Sequence, residues 1–554
     1  MRRFVAGMLA VVMLAAVGCS SSSGGSDSDQ VIRINIGTNP QTIDPRVSTG
    51  LPEAHVEIAL FEGLMRLDEN GNAIPGAAES YDVNEDNTVF TFHLRDGLKW
   101  SNGDPLTAQD FVWSWKSALD PLLASEYAYQ LYYIKGAEQM NTFTSDPKWE
   151  NASDEEIAAE FERLSQDFGA VALDEKTLQV TLEAPTPYFL SLTAFHTYYP
   201  VHKASVEANP EAWFRDTKTT IGNGPFKIVS WTEKEKIVVE RNPNYWDAKN
   251  IKLDRIEFYL IEEESTVTTM FENGELDIVE SGVNVAELDR LKADYPDELH
   301  ILPDLGIYYY LFNVEKEPLN DKRVRQALTY AIDRQQIVEQ ITKAGQVPAF
   351  SLVPEGIPDP SGSENDFRKN GGDFFTEDVQ KAQQLLAEAG YPNGQGFPKL
   401  TILYNTSEAH QKIAEAIQEM WKKNLGIDVE LTNQEWAVYL DSRQTGDYEI
   451  ARAGWIGDYI DPMTFIDMWV TGGGNNDTNW GNPEYDRLVS IAKKSADPVE
   501  RMKAMHDAEA LLMDEMPILP IYHYTRVVMV SKNVEGWSMP LTSPLNLRDA
   551  SIKK

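Results

Sequence analysis

Two carboxylates stand three residues apart in the stretch ARAGWIGDYIDP (451–462), Asp458 and Asp461, among residues otherwise suited to packing. Acids so placed could hydrolyse a glycosidic bond, one as general acid and the other as base or nucleophile. A different chemistry is a counter-ion. A carboxylate enclosed by Trp455, Ile456 and Tyr459 loses hydration and needs a cation of matched geometry. Asp461 precedes Pro462, the pattern of a helix N-cap followed by the first helical residue, which favours a structural role for it and weakens the acid pair. For Asp458 the plain structural alternative is an Asx turn closing a strand end.

Other reactive groups exclude more than they suggest. The histidines at 55, 93, 196, 202, 300, 410, 506 and 523 lack the close pairings of metal sites, and one cysteine rules out zinc ribbons and fingers, so no metal and no cofactor is expected. There is no GxxxxGK[ST] phosphate loop and no GxSxG nucleophile elbow. GNGPF (222–226) lacks the following helix that a dinucleotide site needs, and its glycines are expected to make a turn.

The elements that must position Asp458 are legible around it. DVQKAQQLLAEA (378–389) predicts a helix stopped by Gly390 and Pro392, and KLTILYN (399–405) a strand. A second helix over 408–424 sets Ile413, Ile417, Met420 and Trp421 on one stripe and ends at Gly426, followed by the strand IDVELTNQ. A short helix from Trp436 through Arg443 leads into DYEIARAGW. Strand, helix, strand, helix, strand predicts an α/β layer with a mostly parallel sheet, in which ligands collect beyond the carboxyl ends of strands. Residues 454 to 461 lie at such an end. Elsewhere, TVFTFHLRDGLKW (88–100) alternates as a strand and turns at Asp96-Gly97, and Thr107 with Asp110 caps a helix carrying Phe111, Val112 and Trp115. DPVERMKAMHDAEALLMDEMP predicts a helix opened by Asp497 and Pro498, and ILPIYHYTRVVMVS a strand. The loops after it need an earlier domain to lie against.

The first residues, MRRFVAGMLAVVMLAAVGC, place two arginines before an apolar run from Phe4 to Val17 that is too short to span a bilayer, which predicts a secretory leader. Cys19 is the sole cysteine of 554 residues, so no intrachain disulfide can form. SSSSGGSDSD (20–29) should behave as a flexible tether. The formal charge of −38 disfavours nucleic acid and anionic lipid headgroups as partners. No heptad or fixed-period repeat points to a coiled coil or solenoid.

TIDP (42–45), LFEGL (60–64), PGAAES (75–80), FTFHLRDGLKWSNGDPLTAQDFVWSW (90–115), ERNPNYW (240–246), PLNDKRVRQALTYAIDR (318–334) and YNTSEAHQKIAEAIQEMWKKNLGIDVELTNQEW (404–436) resemble the OppA-type oligopeptide-binding proteins of ABC importers, extracellular solute-binding family 5. The resemblance runs from Val31 to Lys554. It implies an α/β, periplasmic-binding-protein-like fold with two lobes joined by a hinge and a third, inserted domain. Lobe I would comprise 31–61, 204–305 and 526–554, the inserted small domain 62–203, and lobe II 306–525. AVGC resembles a lipobox, with Ala16 where leucine is preferred. That implies a leader over 1–18, lipidation of Cys19, a tether over 19–30 and an extracytoplasmic protein anchored to the cell membrane.

The function implied is capture of oligopeptides between the closing lobes and their delivery to permease subunits, by a monomer and without covalent chemistry. Asp458 would pair with the free α-ammonium of the peptide, whose three donors suit a desolvated carboxylate. Ala453, Gly454 and Ile456 would offer one strand edge to the peptide main chain, and Thr49 and Leu51 the facing one. Gly454 suits an edge because it lacks Cβ, although a bulge or turn would use glycine equally. Trp436 and Trp455 match pocket-lining positions, where isolated tryptophans are more often core. Arg443 and Arg452 match cations that reach peptide carboxylates, and otherwise would be ion-pair partners on an acidic body; Tyr524 matches a contact to peptide main chain. Where enteric relatives carry a disulfide in lobe II, this chain has Gly306 and Ile456, so the lobe must rely on packing. Rival readings are a same-fold binder of nickel, haem, dipeptides or murein peptides, a secreted carbohydrate-active enzyme, and a receptor that reports peptide signals.

Overall fold

The computed structural model describes residues 30–553; the leader, Cys19 and the tether as far as Asp29 lie outside the described residues. The chain opens with β1 (Val31–Asn35) and α1 (Leu51–Leu60), then enters a segment with its own four-stranded antiparallel sheet of β2 (Ala78–Val83), β3 (Val89–Leu94), β4 (Ala170–Asp174) and β5 (Thr177–Thr181), in the order β2-β3-β5-β4. In β3 the alternation expected from the sequence holds, with Phe90, Phe92 and Leu94 inward. The helix α2 (Ala108–Ala118) covers that face with Phe111, Val112 and Trp115, opened by a capping box between Thr107 and Asp110.

The chain then returns through β6 (Phe226–Thr232), β7 (Lys236–Arg241), β8 (Arg255–Tyr259), α3 (Glu264–Glu272), β9 (Ile278–Val279) and the long β10 (Leu299–Phe312). Beyond β10 come α4 (Val379–Glu388), β11 (Leu400–Asn405), α5 (Glu408–Leu425), β12 (Val429–Gln434), α6 (Trp436–Gln444), β13 (Ile450–Ile456), α7 (Pro498–Glu515) and the long β14 (Ile518–Val530). These agree with the elements read from the sequence. In α5 the predicted stripe is buried, and Gly426 closes the helix at φ 72°, a left-handed conformation that glycine adopts freely.

One sheet runs through both halves of this body in the order β12-β11-β13-β10-β14-β9-β1-β8-β7-β6. At one end β11 pairs in parallel with β12 and β13, the α/β layer expected. At the other, β1 lies parallel to β8 and β9, and β6, β7 and β8 form an antiparallel meander. The halves are joined by β10 and β14, which pair antiparallel from Leu299↔Met529 to Leu311↔Ile518, with the register slipping between Pro303 and Ile307 and again between Tyr308 and Tyr309. The C-terminal loops pack Leu545, Leu547 and Ala550 into the core of the half containing β1.

One expectation changes and another gains detail. GNGPF forms no turn: a Cβ on Gly222 would stand 2.0 Å from the carbonyl oxygen of Leu60, and one on Gly224 2.6 Å from the Leu60 carbonyl carbon. These glycines let the chain press against the end of α1, where the Gly224 N–H donates to Leu60 at 2.8 Å. Gly306 and Ile456 prove to be register partners in β10 and β13. A Cβ at Gly306 would lie 2.5 Å from Ile456 Cδ1, so the isoleucine side chain already fills the space above the glycine.

Candidate functional site

A cavity of about 490 Å³ opens between the halves, walled by the loop before α1, the Glu126–Tyr127 turn of the inserted segment, the first turns of α5 and α6, and strands β13 and β14. The lining includes ten of the eleven positions singled out in the sequence: Thr49, Leu51, Trp436, Arg443, Arg452, Gly454, Trp455, Ile456, Asp458 and Tyr524. Ala453 does not line it. Strand alternation turns its methyl into the core, where it is fully buried, so Ala453 can offer only main chain.

The β13 edge suits that purpose. β13 pairs with β10 along its length, from Gly306↔Ile456 to Phe312↔Ile450, but with β11 through Ile450 and Ala451 alone. From Arg452 to Ile456 its second edge carries no strand among the described residues. A Cβ on Gly454 would come 2.4 Å from the Tyr524 hydroxyl, so only glycine fits there without displacing that ring.

Asp458 follows the end of β13 and is 7% exposed. Its Oδ2 accepts from Gln130 Nε2 at 2.8 Å, and the Tyr127 hydroxyl lies 3.4 Å from Oδ1. Its own N–H donates to Thr464 Oγ1 at 2.9 Å, leaving the threonine proton free to turn toward Oδ2 at 3.4 Å. Every partner is neutral, and among the described residues Asp458 has no ion pair. Burial drives its pKa well above the ordinary carboxylate range, and the nearby Asp467 adds to the effect. Some of the other charges on the cavity wall are matched, Arg443 with Asp477 at 2.6 Å, Arg526 with Asp304 at 3.0 Å and Glu280 with the His55 ring at 2.8 Å. Glu126, Glu262, Glu264 and Arg452, by contrast, line the cavity without an ion pair among the described residues; of the unmatched acids, Asp458 is the one that closes the β13 end.

Asp461, three residues on, is engaged elsewhere. Both its oxygens accept from Arg501, at 2.6 and 2.8 Å, and Oδ1 also receives the Met463 N–H at the start of a short helix. That bidentate pair takes Asp461 out of use as the second acid of a pair with Asp458.

The two arginines differ in the same way. Arg443 is committed to Asp477, whereas Arg452 meets only the Tyr524 hydroxyl at 2.8 Å, Asn405 Oδ1 at 3.4 Å and the face of Tyr308. His410 also lines the cavity, with Nδ1 3.3 Å from the Tyr308 hydroxyl, and burial lowers its pKa so that it adds no charge. Trp436, first in α6, stacks on Tyr439 and donates to Glu53 Oε1 at 3.2 Å, while burial raises Glu53 to about 7. Trp455 stacks on Tyr127 with centroids 5.9 Å apart. Gln130, Tyr127 and Thr464 were not anticipated from the sequence. The aromatic run YAYQLYY (127–133) was the available signal, but nothing in it ties a residue to a position more than 300 residues away.

Two halves of one sheet, joined by a pair of long strands and enclosing a cavity whose buried carboxylate lacks a cation, define a binding protein that closes around a solute. Residues 72–477 match the model of bacterial extracellular solute-binding proteins, family 5 Middle, and the chain belongs to that family, whose members bind solutes rather than transform them. It is 39% identical over 557 residues to the oligopeptide-binding protein OppA of Bacillus subtilis, covering 98% of this chain and 97% of that protein. The OppA of Haemophilus influenzae in complex with RPPGFSPFR matches at 34% identity with a TM-score of 0.86, over 95% of this chain and all (100%) of that one. The murein tripeptide binding protein MppA of Escherichia coli, 36% identical, matches over 95% of this chain and 99% of that one with a TM-score of 0.85. The unliganded open form of MppA, covered to 98%, reaches only 0.60. This chain therefore has its halves as in the peptide-bound relative, closed over the cavity.

Proposed function

We propose that the protein captures oligopeptides by their free N-terminus and main chain and delivers them to an ABC permease. One observation carries this reading: a buried carboxyl group, Asp458, faces a closed cavity with neutral groups as its only partners among the described residues. Ionising a buried carboxyl without a counter-charge costs several kcal/mol, on the order of 3–5 when one partner of a pair is missing, which is why burial raises its pKa in the ligand-free protein. An α-ammonium supplies the missing charge.

The unpaired edge from Arg452 to Ile456 supports main-chain recognition by strand addition, in which successive ligand side chains point into separate pockets and need not be specified. Arg452, without a carboxylate partner among the described residues, is the cation suited to a ligand carboxylate, with Tyr524 beside it. Thr49 and Leu51 would meet the ligand from the opposite wall, and Trp436 and Trp455 would bound side-chain pockets. In this reading lobe I comprises 31–61, 204–305 and 526–554, the inserted domain 62–203 and lobe II 306–525. Lipidated Cys19 would tether a monomer to the outer face of the cell membrane. The peptide named with the Haemophilus relative and the tripeptide named for MppA support peptides as the ligand class.

Native mass spectrometry of protein purified from cells without refolding, followed by acid release and sequencing of the bound material, tests the proposal. A mixture of short peptides with free N-termini is the expected result. A metal, haem or sugar in their place would overturn it, and an empty protein that binds peptides and their N-acetylated forms equally would remove Asp458 from recognition.

A further inference from the structure

The halves also meet directly at the cavity wall, through a contact the chain makes with itself. Glu264 opens α3, on the half containing β1 and β8. Its side chain is 4% exposed and forms no ion pair among the described residues. Oε1 accepts from the Ala409 N–H at 3.0 Å and from Ser407 Oγ at 3.2 Å, both on the opposite half.

Ser407 is the N-cap of α5, a helix of eighteen residues, and its Oγ accepts from the His410 N–H at 3.3 Å. The first turn of any helix leaves N–H groups without intrahelical acceptors, and its end of the helix dipole favours negative charge. Ser407 satisfies one of these donors. Glu264 satisfies another, at Ala409, from across the cleft. The residue after Ala409 is His410, whose ring lines the cavity against Tyr308. Among the described residues Glu264 Oε2 has no hydrogen-bond partner, and the side chain's hydrogen bonds run to the start of α5.

A bond of this kind exists only while the halves are apposed, and the unliganded open form of MppA differs from this structure at TM-score 0.60 against 0.85 for the other form. We propose that Glu264 is a latch of the closed form: a positioning residue that caps α5 from the opposite half and sets how long a captured ligand stays, without choosing which ligand. The proposal takes its ligand from the peptide-capture reading, but the motion it describes is independent of what is captured.

The test uses the full chain with Cys19→Ser and with Val229→Cys and Val438→Cys carrying a fluorophore pair, since these valines are 40% and 52% exposed on the two halves. In Glu264→Ala, dissociation of a captured peptide should quicken about tenfold, the ordinary worth of a helix cap, while association changes little. The quickening should be the same for every peptide, and Glu264→Gln, which keeps an acceptor oxygen, should recover part of it. Interfluorophore distances should show a smaller closed fraction in Glu264→Ala, with the melting temperature of free protein nearly unchanged because Ser407 still caps α5. Unchanged dissociation, or a loss that depends on peptide sequence, would overturn the latch. If the unaltered chain binds no peptide, the capture reading fails, and the latch is judged on ligand-free protein: a lowered closed fraction in Glu264→Ala supports it, and identical distance distributions overturn it.

Discussion

Asp458 and Asp461 share a loop, a residue type and a degree of burial, 7% exposed in both, yet their surroundings are opposite. Asp461 is clamped by both nitrogens of Arg501, whereas Asp458 meets one amide and two hydroxyls. The first arrangement completes itself within the chain and contributes to the fold. The second is left wanting a charge that the chain does not provide. Burial and residue type alone do not distinguish a structural acid from a binding one; the sign of the partner does.

Removing a partner should therefore damage the two sites in different currencies. Arg501→Leu, which strands Asp461 as a buried charge, should cost about 3–5 kcal/mol of stability in denaturant unfolding while the protein that remains folded binds peptide as before. Asp458→Asn should cost peptides with a free N-terminus about 3 kcal/mol, more than a hundredfold in affinity by calorimetry. N-acetylation should impose the same penalty on the original protein and none on the variant. If Asp458→Asn loses stability rather than affinity, the two sites are alike after all.

Titration sharpens the contrast. The ligand-free Asp458 carboxyl titrates above its unfolded value because of burial, so the folded chain holds a proton that the unfolded chain has released. Stability must then fall as pH rises from the ordinary carboxylate range through that raised value. Asn has no such proton, so Asp458→Asn should flatten this slope and melt no lower than the original protein at pH 7.5 without ligand. Glu53, raised to about 7, imposes a slope of the same sign in both proteins and cancels in the difference. A variant melting lower at pH 7.5 would contradict the argument. A smaller effect belongs to Gly454→Ala, whose Cβ would stand 2.4 Å from the Tyr524 hydroxyl. Displacing that ring from Arg452 should weaken peptide binding by about 1–2 kcal/mol with stability little altered, as competition binding would show.

Much of this was legible in the sequence because it is encoded locally. The stripe of α5, its stop at Gly426 and the alternating strands on either side follow from spacing within a few residues, and they place Asp458 at a strand end. What the sequence could not provide was pairing at a distance. Arg443 and Arg452 looked equivalent until Asp477 was found against one and only hydroxyl, amide and ring partners against the other. The glycines of GNGPF suggested a turn because turns are local; their purpose lies in the carbonyl of Leu60, about 160 residues earlier. Gly306 and Ile456 were notable as the place of a missing crosslink, and only the register of β10 with β13 shows that one side chain fills the space over the other residue.

The slip between Pro303 and Ile307 in the pairing of β10 with β14 has a bearing on endurance. A carrier is emptied and refilled throughout its life, and each cycle bends the same few residues. If closure bends the strands where the ladder is already interrupted, here and at the second slip between Tyr308 and Tyr309, the paired stretches outside these slips can stay intact through every excursion. Firmness and mobility would then belong to different stretches of the same two strands, and a body of this size could work repeatedly without loosening the parts that keep it folded.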